Sequence, residues 1–144
     1  KNIKPLVVVE KLLLDENNNI PNDYKFHCFH GKVEFIQVDI GRGSSEHYRN
    51  YYYPDWSRAP FKWSSKINSS YTDPADYDLT KPNNLEEMLF ISSKLSSQFR
   101  YVRVDLYECC QKVYFGEITF HHDGGFRPII PVEFDYKFGE LLEL

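Results

Sequence analysis

Arg103, Asp105, Glu117 and Thr119 are the residues of this chain whose types and spacing best suit chemistry. They lie in Tyr101–Phe120, YVRVDLYECCQKVYFGEITF, where apolar and polar residues alternate in two runs about a short turn. That alternation predicts a β-hairpin. Cys109-Cys110-Gln111 is the expected loop, with Glu108 paired to Lys112. Val102, Val104, Leu106, Tyr114, Ile118 and Phe120 then share one face, Gly116 among them. Arg103, Asp105, Glu117 and Thr119 share the other. Asp105 and Glu117 fall on diagonal positions, roughly 7–8 Å apart at the backbone. Two carboxylates so placed repel unless a cation lies between them. Hard oxygen ligands with room for water suit Mg²⁺, with phosphates as further ligands. The pattern alone fits a solvent face carrying an Arg–Asp–Glu ion-pair cluster as well.

Several elements must position these residues. Asp23–Phe29 and Val33–Ile40 predict a second hairpin around His30-Gly31-Lys32. Pairing Cys28 with Glu34 puts Tyr24, Phe26, Cys28, Ile36, Val38 and Ile40 on a core face. Asp23, Lys25, His27, Gln37 and Asp39 take the polar face. If the two hairpins share one curved sheet, Asp23, Lys25 and His27 line the same cleft as Asp105; otherwise theirs is an ordinary solvated face. Leu6–Val9 is apolar and β-branched and predicts a buried strand. Gly41–Ser45 reads as a loop and His47–Tyr53 as a strand. Asn84 with Glu87 three residues on predicts a capped helix start, followed by an apolar stripe of Leu85, Met88, Leu89, Leu95 and Phe99. Val132–Leu144 predicts a terminal helix. Between them Asp55–Thr80 is irregular and carries Trp56, Phe61 and Trp63; a stretch this long inside a domain is functional or covers a site. The expected fold is α+β, a mainly antiparallel sheet with both helices packed on one face.

The chain has 144 residues, enough for a single domain over 1–144 with one modest core. Aromatic residues make up 17%, which favours a sheet-rich fold. Net charge is −4 with no basic run, which argues against a broad nucleic-acid surface. No apolar run approaches the about 20 residues needed to span a bilayer. Cys28, Cys109 and Cys110 are odd in number and two are adjacent, a poor disulfide framework that suits a reducing compartment. Five histidines lack the spacing of a zinc site. The only methionine is Met88, so the sequence is expected to be a piece of a longer protein.

Arg103-Val104-Asp105, followed twelve residues after the aspartate by Glu117-Ile118-Thr119 on a returning strand, resembles the metal-binding end of ATP-grasp enzymes. Their pattern is R-x-D on one strand and E-x-N on the next. Val9-Glu10-Lys11-Leu12 resembles the hinge that holds adenine in that fold. VVVEKLL, PNDYKFHCF, VRVDLYE, VYFGEITF and EFDYKFGELL, in that order, resemble the TupA-like ATP-grasp family across nearly the whole chain. The resemblance implies the C-terminal grasp subdomain, with the upstream part of the same protein as its partner. It implies ATP and Mg²⁺ as cofactors. Glu10, Lys11 and Leu12 would face the adenine, Asp23 the ribose and Lys25 a phosphate. Asp105 and Glu117 would hold Mg²⁺, and Arg103 would stabilise the developing charge in catalysis. Thr119 stands where the family has Asn, and a hydroxyl is a weaker metal ligand than an amide oxygen.

The implied activity is ATP-dependent carboxylate–amine ligation, joining an amino acid as amine donor to a carboxylate sugar in bacterial surface-polysaccharide biosynthesis. The chain by itself would then be inactive, and the location cytoplasmic, at or near the inner face of the membrane. Two alternatives stay open. One is a glycosyltransferase, as some family annotations have it, with metal and carboxylates holding a nucleotide-sugar. The other is a carbohydrate-binding module using Trp56 and Trp63 as stacking platforms.

Overall fold

The computed structural model describes residues 4–42, 46–63, 66–67 and 70–143. Five antiparallel strands form the main sheet in the order β3-β2-β1-β6-β7. They are β1 (Asp23–Phe29), β2 (Lys32–Ile40), β3 (Tyr48–Tyr52), β6 (Tyr101–Cys109) and β7 (Lys112–Thr119). Lys66–Ile67 (β4) and Ser70–Tyr71 (β5) make a small separate ladder. Helix α1 spans Leu85–Ser96 and α2 spans Val132–Glu140. This is the α+β architecture expected, with the two hairpins side by side in one sheet through the β1–β6 pairing. Of the Gly41–Ser45 loop, residues 43–45 lie outside the described residues, as does residue 144 of the expected last helix.

Alternation along each strand divides the side chains between two faces. Phe26, Ile36, Val102, Val104 and Leu106 pack on one face against Leu85 and Met88 of α1. Each such fully buried side chain contributes about 1.5–3 kcal/mol. Phe29, Phe35 and Tyr51 point to the other face and pack with Phe61 and with Phe138 of α2. The helices therefore lie on opposite faces, not on one. The long connection explains why. It wraps the β3 edge, stacking Trp56 on Tyr52 on the α1 side and delivering Phe61 and Trp63 to the α2 side. Those apolar groups give α2 a surface to cover. Trp56 and Trp63 are thus separated by the sheet and form no common stacking platform.

Both hairpins turn more tightly than expected. Phe29 pairs with Lys32 and Cys109 with Lys112, which leaves two-residue turns at His30-Gly31 and Cys110-Gln111. All four turn residues have positive φ, the geometry whose twist matches that of the flanking strands. Each hairpin then carries a bulge, at Glu34 and at Gly116. Beyond its bulge the first hairpin regains the expected register, His27 opposite Phe35. The second does not: Asp105 pairs directly with Glu117, and Arg103 with Thr119. Near the turn Tyr114 pairs with Tyr107 on the polar face, while Val113 joins the core in its place.

Three local expectations change. The Asn84 side chain makes no cap and Glu87 is exposed, so no capping box forms. Glu108 of β6 replaces it, accepting the Asn84 backbone N–H at 2.8 Å. Leu95 is exposed, and Ser92 and Ser96 fill the buried stripe of α1. Leu6–Val9 is neither strand nor buried; each residue is more than three-quarters exposed. Among the described residues no helix is long and apolar enough to cross a membrane.

Candidate functional site

The polar face carried by β1 and β6 is covered, not solvated. Asp23, Lys25, Asp39, Arg103 and Asp105 are all buried, so their charges must be met within the protein. Register accomplishes this. Lys25 stands opposite Asp105 on the neighbouring strand, and its Nζ donates to Asp105 Oδ2 at 2.6 Å and Asp23 Oδ2 at 2.5 Å. Arg42 reaches the same Asp23 oxygen at 3.0 Å. Arg103 forks onto Asp105, Nε to Oδ1 at 2.7 Å and Nη2 to Oδ2 at 2.8 Å. Its Nη2 also reaches Glu117 and Thr119, both at 3.0 Å. Nη1 meets His122 Nδ1 at 2.6 Å. Three carboxylates (Asp23, Asp105, Glu117) thus face three cations (Lys25, Arg42, Arg103).

The environments of these groups differ. Burial pushes the Asp23 carboxyl above its ordinary range, and Lys25 offsets that only in part. Burial alone would weaken Arg103 as a cation, but the hydrogen bonds and charge of Asp105 outweigh it and hold the proton more tightly. Asp23 Oδ1 is buried with no hydrogen-bond partner among the described residues. The Glu117 side chain, by contrast, is 64% exposed.

A cleft of about 870 Å³ opens over this face. Its walls include Glu10, Lys11, Leu12, Asp23, Lys25, Asp105 and Glu117, seven of the nine residues that the sequence singles out. Arg103 and Thr119 are not on its wall. Arg103 ties Asp105 and Glu117 together, and Thr119 Oγ1 donates to Glu117 at 3.2 Å. Three contributors were not legible. Arg42 sits in a loop with no distinguishing pattern, Tyr107 reads as an ordinary strand residue, and His122 is indistinguishable from its neighbour His121.

Asp105 and Glu117 offer oxygen ligands of the class that Mg²⁺ prefers. Among the described residues no group of three or more acidic, His or Cys side chains is arranged to hold a metal. Both Asp105 oxygens already accept from Arg103 and Lys25, so an ion here would rest first on the exposed Glu117 and take its remaining ligands from phosphates and water, drawing on Asp105 only by displacing one of those donors.

The carboxylate pair depends on the bulge at Gly116. A Cβ there would lie 2.9 Å from the Tyr107 ring and 3.1 Å from the Asp105 carbonyl oxygen. The backbone oxygen cannot yield without disturbing the β6–β7 ladder. Gly116→Ala is expected to cost about 1–3 kcal/mol in urea unfolding. An unchanged midpoint would mean that the bulge has room the geometry does not show.

No curated protein and no solved structure matches the chain. The family described as TupA-like ATPgrasp matches residues 1–143, which leaves only the last of 144 residues outside. The match takes in the Glu10–Leu12 segment, both hairpins and α2, the elements that build the cleft and cover the sheet. By that match over residues 1–143, the chain belongs to the TupA-like ATPgrasp family.

Proposed function

We propose that this chain forms one wall of the nucleotide site of an ATP-dependent carboxylate–amine ligase. In this reading ATP phosphorylates a substrate carboxylate, ADP leaves, and an amine displaces phosphate from the acyl phosphate to give an amide. The observation that carries it is the buried Asp23 Oδ1 on the wall of the cleft, which has no hydrogen-bond partner among the described residues. An acceptor without a donor suits a ribose hydroxyl. Glu10, Lys11 and Leu12 line the same cleft and take the adenine end. Lys25 lies between Asp23 and Asp105, where phosphates following the ribose would come.

The wall of the cleft carries five carboxylates (Glu10, Asp15, Asp23, Asp105, Glu117) against three cations (Lys11, Lys25, Arg42), so an incoming polyphosphate brings further uncompensated negative charge. Mg²⁺ held by Asp105 and Glu117 would supply the missing positive charge and polarise the phosphate oxygens. Thr119 steadies Glu117. Arg103 holds both carboxylates in register, and in this reading its guanidinium also stabilises the charge that develops on the transferring group. The substrates we assign are a carboxylate sugar and an amino acid in bacterial surface-polysaccharide synthesis. The second grasp subdomain would come from another part of the same protein.

The test is calorimetric titration of the complete protein with ATP, with Mg²⁺ and again with EDTA. Glu117→Gln is expected to weaken Mg²⁺–ATP binding by about tenfold or more while leaving metal-free binding unchanged. Equal affinity of variant and parent in Mg²⁺ would remove Glu117 from the metal site.

A further inference from the structure

The same face of the sheet has a second opening beyond Arg103. Along β6, Asp105, Arg103 and Tyr101 follow one another on one face, about 7 Å between successive members. Asp105 lines the large cleft, and Tyr101 lines a separate pocket of about 220 Å³. The walls of that pocket are rings: Phe29, Phe35, Tyr101, Phe120 and Phe138, with Trp63 at one side. Trp63 is fixed in place, its Nε1 donating to the Arg127 carbonyl at 2.6 Å and its ring meeting the edge of His122 at 4.5 Å between centroids.

Two opposite charges border these rings, Arg127 and Asp135. They form no ion pair with one another, and among the described residues neither has another charged partner. Among the described residues the Asp135 carboxylate accepts only the Ile129 backbone N–H, at 3.3 Å. One helical turn on, Gly139 also lines the pocket, and a Cβ there would meet nothing within 4 Å. The pocket is therefore an open, ring-walled socket with an unspent cation and an unspent anion beside it.

An apolar socket bordered by both signs of charge is complementary to a zwitterion with a flat apolar side chain. We propose that this pocket binds a free α-amino acid with an aromatic side chain. The ring lies over the accessible rings of the opening, Trp63, Tyr101 and Phe120, with the buried Phe29 and Phe35 forming the floor beneath. Arg127 takes the carboxylate in its planar fork, and Asp135 takes the ammonium group. The binding stands independently of the ligase reading; only the further assignment of this amino acid as the amine donor rests on it. That assignment has a geometric basis. His122 belongs to the pocket wall and bonds Arg103, which bonds Asp105 and Glu117, so one chain of contacts joins the two openings.

The experiment is calorimetry and saturation-transfer NMR on the chain, with L-phenylalanine as the probe. One-to-one binding is expected, weakened by about tenfold or more in Arg127→Ala and in Asp135→Asn. Both residues lie away from the core, so the variants stay folded, which circular dichroism checks. Phenethylamine lacks the carboxylate and 3-phenylpropionate lacks the ammonium group, and each should bind correspondingly more weakly. Absence of L-phenylalanine binding, binding indifferent to both substitutions, or tighter binding of L-glutamate would each overturn the proposal. ATP binding is measured in parallel on the complete protein, which carries the rest of the nucleotide site. Its failure with phenylalanine binding intact would sink the ligase reading and leave the pocket standing.

Discussion

Asp105→Ala is expected to destabilise the protein by about 3–5 kcal/mol, read from urea unfolding. This is a large share of the about 5–15 kcal/mol that holds a domain of this kind folded. Asp105 is 1% exposed, and both its oxygens are occupied, by the Arg103 fork and by Lys25. Removing it strands two buried cations on adjacent strands, with only Asp23 and the exposed Glu117 left to meet them. Glu117→Gln provides the contrast. Its carboxylate is largely in water, where an ion pair contributes at most about 1 kcal/mol. The two members of the proposed metal pair should therefore differ sharply in stability while both affect Mg²⁺–ATP binding. If Asp105→Ala unfolds at the parent's urea midpoint, the network is not the structural tie that its distances imply.

Under the proposed ligase reading, Arg103→Lys in the complete protein is expected to lower kcat by on the order of 10²-fold. Lysine keeps the charge but loses the planar fork, and no single ammonium reproduces simultaneous bonds to Asp105, Glu117, Thr119 and His122. The carboxylates would lose their common anchor, and the developing charge would lose a donor. KM for ATP should move much less, because Glu10–Leu12 and Asp23 are untouched. A purely neutralising arginine predicts near-parental kcat in the lysine variant. That result would leave Arg103 with a structural role only.

The hairpins were legible because alternation over Asp23–Phe29 and Tyr101–Cys109 is a direct imprint of a two-faced sheet. What alternation does not encode is a bulge. Gly116 shifts the pairing so that Asp105 and Glu117 stand directly opposite, and no local pattern announces that shift. The polar face was legible as polar, yet its burial was not. Burial depends on Lys25 reaching across to Asp105, eighty residues away in the chain. The capping box at Asn84 failed for a similar reason, since Glu108 from a distant strand satisfies the helix start. The placement of α2 followed from Phe61 and Trp63, supplied by the one stretch without periodicity. Leu6–Val9 has a strand's composition, but composition cannot specify a neighbour.

That exposed run bears on how the molecule behaves as a colloid. Four consecutive apolar residues, three of them valine, hold their backbone groups and side chains open to solvent. Such a segment is a nucleus for intermolecular cross-β pairing. Its flanks counter this: Lys4 and Pro5 precede it, and Glu10 and Lys11 follow. Charges and a proline at the ends of a sticky segment act as gatekeepers against fibril growth. Lys11 and Glu10 would thus have a second duty besides lining the cleft, keeping copies of the chain apart in concentrated solution.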